Sequence, residues 1–183
     1  MENNQNNNSS ADLKRPMLTE MFVDRESTEN AYNTLHERGY AKGDINLIMS
    51  DNTRKKHYAD ADDDSEFGTK AAESAGTGSA IGGTIGAVIG FIAAIGTSVI
   101  ITGLGVIIAG PLAAGLAGAG AVGIAGGLIG ALVGSGIPED HAKIYESGIK
   151  YGHVVMGVRP HNDEVATYLE DNWKSNRGKE VYR

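Results

Sequence analysis

The chain has 183 residues, no cysteine and a formal net charge of -7. The missing cysteine excludes disulfides, thiolate catalysis and Cys-ligated metals, and the acidic balance argues against nucleic acid as the main partner, because binding through phosphates needs a basic surface. The charge is confined to the flanks: residues 1–73 hold 9 Lys and Arg against 15 Asp and Glu, residues 139–183 hold 7 against 8, and the 65 residues from Ser74 to Pro138 hold none.

Residues 1–16 are polar and Asn-rich, close with Pro16, and read as a disordered tail. They lack a basic stretch followed by an apolar one, so the expectation is a protein that is not secreted and acts on the cytoplasmic side. Residues 17–69 form the first part of an α+β domain. Met17 to Val23 alternates as a strand, and Ser27 or Asp24 caps a helix that runs to Arg38 and stops at Gly39. Ala31 and Leu35 lie on the buried stripe of that helix. Ile45 to Met49 is a second strand, and the three elements have the length of a right-handed crossover. An acidic loop follows, with Asp60, Asp62, Asp63, Asp64 and Glu66. Counted from Asp60 it puts Ser65 and Ala71 where a calcium loop needs Gly and Glu, so it reads as solvated.

Residues 70–137 are the anomaly, since the 65-residue uncharged run holds 19 of the 26 glycines. Each glycine in an exposed helix costs about 1 kcal/mol relative to alanine, so something must offset them. Gly78, Gly82, Gly86 and Gly90 recur every four residues on one helical face. Gly115, Gly118, Gly123, Gly126, Gly127, Gly130 and Gly134 repeat the small-residue pattern further on, beside Leu112, Leu116, Ile124, Leu128 and Leu132. Bare helical faces let backbones approach closely, which is how helices associate in membranes. The spacing therefore predicts a glycine-zipper helical hairpin that turns near residues 102–105, with arms long enough for a bilayer core of about 30 Å and a kink or new helix start at Gly110 and Pro111. Three arrangements follow from it: insertion in a membrane with lipid as partner, burial between subunits of a soluble homo-oligomer, or cover by the flanking domain.

Residues 138–175 complete the domain. Pro138 opens a helix with Glu139 and Asp140 in its first turn, His153 to Val158 is the third strand, and Asn162 or Asp163 caps a last helix carrying Val165, Tyr168, Leu169 and Trp173. Residues 176–183 read as a C-terminal tail. The fold class is α+β, a small three-stranded sheet with packed helices in the order β-α-β, hairpin, α-β-α.

Chemical motifs are weak. Gly118-Ala119-Gly120-Ala121-Val122-Gly123 fits a dinucleotide fingerprint by glycine density alone, with no preceding strand and no later acidic residue. The histidines have no metal-ligand spacing and no nucleophile elbow occurs. No catalytic residue, metal, cofactor or small-molecule substrate is expected.

Phe22-Val23-Asp24-Arg25-Glu26-Ser27, Arg38-Gly39-Tyr40, Asp44-Ile45-Asn46, Ile48-Met49-Ser50-Asp51, the Gly-Pro-Leu-Ala-Ala run at residues 110–114 and Gly136-Ile137-Pro138-Glu139 together resemble the bacterial general stress protein 17M-like (heat-induced stress protein) family. The resemblance spans residue 18 to about residue 173 and leaves out the Asn-rich tail. It implies a bacterial, stress-induced, non-catalytic protein and supplies no catalytic residue.

Overall fold

Two β-α-β units interleave in one antiparallel sheet. The computed structural model describes residues 15–58, 88, 98–101, 105–118 and 127–183. Its strands are β1 (Leu18–Phe22), β2 (Ile45–Ser50), β3 (Ser98–Ile101), β4 (Val106–Ala109), β5 (Val154–Val158) and β6 (Lys179–Tyr182). The helices are α1 (Arg25–Glu37), α2 (Asp51–His57), α3 (Pro111–Gly118), α4 (Gly127–Gly134), α5 (Glu139–Lys150) and α6 (Asp163–Ser175).

The sheet order is β3-β4-β2-β5-β1-β6. Because β1 and β2 each pair antiparallel with β5, they run parallel to one another with β5 between them. By the same reasoning β4 and β5 are parallel and enclose β2. Each pair is joined by a crossover that contains helices, as parallel strands require.

The expected sheet of three strands is corrected to six. The three foreseen strands are the contiguous centre β2-β5-β1, and three more extend it. Two of these, β3 and β4, come from the uncharged run and form a β-hairpin that pairs Ile101 with Val106 and Ser98 with Ala109. The predicted helical hairpin is therefore overturned at its tip. The physical reason is that Val99, Ile100 and Ile101, then Val106, Ile107 and Ile108, are β-branched residues on either side of Gly103-Leu104-Gly105, which is a strand-turn-strand signal. The third added strand, β6, lies in what the sequence read as tail, where no hydrophobic alternation marks Lys179-Glu180-Val181-Tyr182.

Helices cover both faces. On the first, Leu18, Phe22, Leu47, Met49, Val154, Met156 and Val158 pack against Ala31 and Leu35 of α1 and Leu169 and Trp173 of α6. On the second, Met21, Ile48, Val106, Ile108 and Val155 pack against Ala113 of α3, Leu128 and Leu132 of α4, and Ala142, Tyr145 and Ile149 of α5. Burial on both faces explains why every residue of β1 and β5 is buried.

The helix ends follow local chemistry. The Asp24 carboxylate accepts the Ser27 N–H at 2.8 Å, and the Asn162 side-chain Oδ1 accepts the Val165 N–H at 2.8 Å. Gly39 ends the turn after α1 at φ +84°. Pro111 opens α3 directly after Gly110 at φ +96°, where a side chain would run into the Ile45 carbonyl. That junction is pinned by Asn46, whose amide accepts the Leu112 N–H at 2.8 Å and donates to the Gly157 carbonyl at 3.2 Å.

Candidate self-association surface

Glycines are kept for two different reasons in this chain. At Gly110, Gly148, Gly157 and Gly178 a β-carbon would collide with the protein itself: with the Ile45 carbonyl, the Met21 sulfur, Thr19 Cγ2 at 3.0 Å and the Glu20 carboxyl respectively. Close intrachain packing accounts for these four. Gly115 in α3 and Gly134 at the end of α4 are the opposite case, exposed and, among the described residues, with no atom within 4 Å of where a β-carbon would stand. Neither has a left-handed backbone that would call for glycine.

Around these two positions the surface is low and apolar. In α3, Ala113 is buried while Ala114 and Gly115 face outward. In α4, Leu128, Ala131 and Leu132 are buried, Gly130 is half-buried, and Val133 is 44 % exposed beside Gly134. Gly127 begins α4 with φ +63° and Gly118 is the last residue of α3. The remaining zipper positions, Gly78, Gly82, Gly86, Gly90, Gly123 and Gly126, lie outside the described residues. In the first arm Val88 is buried in the first core and donates its N–H to Glu29 Oε2 at 2.9 Å.

Among the described residues the second arm holds α3 and α4, 8 residues each or about 12 Å of helix apiece against a bilayer core of about 30 Å, and Gly127 opens α4 at φ +63°. No helix among the described residues is long and apolar enough to cross a membrane.

The sheet edges differ in kind. Lys179 and Glu180 place charges on β6, and its register against β1 is irregular between Thr19 and Met21, all features that discourage further pairing. The β3 edge is Ser98-Val99-Ile100-Ile101, without charge or proline, and among the described residues no strand pairs with its outer side.

A polar cleft of about 620 Å³ opens where β2 meets α2, lined by Ser50, Asn52, Thr53, Lys56, His57, Lys150 and Tyr151 among others. Its hydrogen-bonding groups serve the helix: Ser50 Oγ accepts the Thr53 N–H at 3.0 Å and lies 2.8 Å from Thr53 Oγ1. Asp51 binds Lys55 at 2.7 Å and Arg54 at 3.2 Å, and these hydrogen bonds hold its carboxyl below the usual range. Among the described residues no group of three or more His, Asp or Glu is placed to hold a metal ion. The acidic loop of residues 60–66 lies outside the described residues.

Sequence reasoning missed Glu20, which sits fully buried in the middle of β1. Burial pushes its carboxyl up to about 8, with Lys174 opposing and Glu170 adding to the shift. The strand pattern placed it on a sheet face, and no signal in the sequence marked that face as covered. Compared with known proteins, the chain matches no family model, no curated protein and no solved structure.

Proposed function

We propose that this is a non-enzymatic protein that associates with copies of itself through the uncharged segment, with the α+β domain as its displayed part. The observation that carries the reading is the pair of exposed helical glycines, Gly115 and Gly134, which nothing among the described residues requires. A helical glycine costs about 1 kcal/mol relative to alanine, and close approach of a second backbone is the physical use of a bare face. The uncharged outer edge of β3 supports the same reading, since it carries nothing to repel another strand. The stress-protein resemblance adds the expectation of induction under stress.

The finer reading adds a lipid surface as a second partner, on the cytoplasmic side, because residues from Ser74 onward bring a long uncharged stretch. The alternative is a soluble assembly in which the same surfaces are buried between subunits, and it is favoured by the packing of α3 and α4 on the sheet rather than apart from it.

Mass measurement in detergent-free buffer tests association. The expected result is an oligomer that the double substitution Gly115→Leu, Gly134→Leu dissociates, while Gly43→Leu, at an equally open position in the flank, leaves it intact. A monomeric wild type, or an oligomer indifferent to both changes, refutes the reading. Flotation with vesicles of acidic and neutral lipid then separates lipid contact from a purely soluble assembly.

A further inference from the structure

Strand β6 is an edge strand and weakly secured. Its residues are exposed or half-buried, it pairs with β1 in irregular register, and it is reached through Arg177 at φ 62° and itself contains Glu180 at φ 61°, left-handed conformations that side-chain-bearing residues adopt only at a cost. Beyond the ladder, Val181 packs at the margin of the first core and the Tyr182 ring lies 5.0 Å from that of His141. Arg177 meets Asp24 at 3.2 Å and Arg183 meets Asp163 at 2.7 Å, both at the surface where ion pairs hold weakly. The Tyr145 hydroxyl donates to the Glu180 carbonyl at 2.7 Å, and Gly178 N–H donates to the Trp173 carbonyl at 2.9 Å.

Under this strand lies the Glu20 carboxyl. It is fully buried, neither oxygen has a hydrogen-bond partner among the described residues, and it fills the space that a side chain on Gly178 would take. The charged and titratable groups that act on it are Glu170 and Lys174 from α6 and Tyr145 from α5, while Lys179 and Glu180 of β6 act on His153 and Tyr145. None of them hydrogen-bonds to it.

We propose that β6 is a detachable strap: it stays on the sheet while Glu20 holds its proton and lifts when the carboxyl ionises, because a carboxylate without partners cannot remain dry. Lifting Gly178 admits water to Glu20 and uncovers the β1 edge. The proton passes to solvent, and the sign is fixed: low pH favours the closed strand, high pH the open one. Ionisation is set by burial, which holds the closed-state carboxyl near 8, so the switch works close to neutrality rather than in strong base.

Trp173 reports on the event. It is the single tryptophan of the chain, fully buried edge-on to Phe22 at 5.7 Å, and its carbonyl is the one that Gly178 grips. The experiment is acrylamide quenching of tryptophan fluorescence in the full chain from about pH 6 to about pH 9.5, spanning the shifted carboxyl. The expected result is a severalfold rise in quenching with a midpoint somewhat below the closed-state value of about 8, since opening draws the proton off, with little change in far-ultraviolet circular dichroism. Glu20→Gln abolishes the rise, and Tyr145→Phe moves the midpoint to lower pH because a weaker clamp makes opening easier. Gly178→Ala, which forces the strand off the carboxyl and the Trp173 carbonyl, leaves the indole quenchable at every pH. A flat profile in the unsubstituted protein, an unchanged rise in Glu20→Gln, or a protected indole in Gly178→Ala overturns the proposal.

Discussion

Single residues carry much of the order between layers. Asn46, 1 % exposed, ties α3 to the sheet centre through Leu112 N–H and the Gly157 carbonyl. Asn46→Ala leaves both without that partner and is expected to lower stability by about 1–3 kcal/mol in urea denaturation. Glu20 has a different signature. Between the unfolded value of 4.5 and the folded value of about 8 the native state keeps a proton that the unfolded state has released. Stability therefore falls as pH rises through that window and levels off above it. In Glu20→Gln the stability profile is expected to be flatter across the same window, measured by denaturation at several pH values. Neither role was legible in the sequence: Asn46 stands in an ordinary strand, and one acidic residue in an alternating strand looks like a solvent-facing one until both faces prove covered.

Elements with strong local signals matched the reading closely. Asp24 caps α1, Pro138 precedes α5, and Asn162 caps α6, because caps and prolines act within a few residues of themselves. The uncharged run was harder, because its lack of charge hid a change of period. Glycine at every fourth position suggested helix throughout, while clustered valine and isoleucine beside Gly103 and Gly105 directed a hairpin into the sheet. Tertiary pairing of Met49 with Ile107 and of Ile48 with Ile108 then fixed its register. The two kinds of glycine give opposite outcomes on substitution. Gly110→Ala is expected to cost at least about 1 kcal/mol, since φ there is +96° and the Ile45 backbone blocks the side chain. Gly115→Ala is expected to raise the thermal stability of the isolated subunit by about 0.5–1 kcal/mol and at the same time weaken association.

At the scale of the whole molecule, class and flank order were legible, while the size of the sheet and the place of the insertion were not. A flank of about 100 residues in two pieces suggested a small core with an appendage. The described parts of the appendage instead join the domain, where α3 and α4 roof one face and β3 and β4 widen the sheet. Of the candidate association surface, the glycine spacing showed which residue types to examine, and only the packing separated Gly115 and Gly134 from glycines that serve the subunit. The interleaved topology has one more consequence. Strands β1 and β2 do not touch each other and are joined only through β5, whose residues lie more than 100 positions after β2 begins. During synthesis β1 therefore has no strand to pair with until residue 158 has left the ribosome, while β2 has β4 alone as a partner until then. Maturation is expected to be slow and dependent on holding chaperones, so that ribosome-bound chains halted before residue 154 remain protease-sensitive while those released after residue 175 do not.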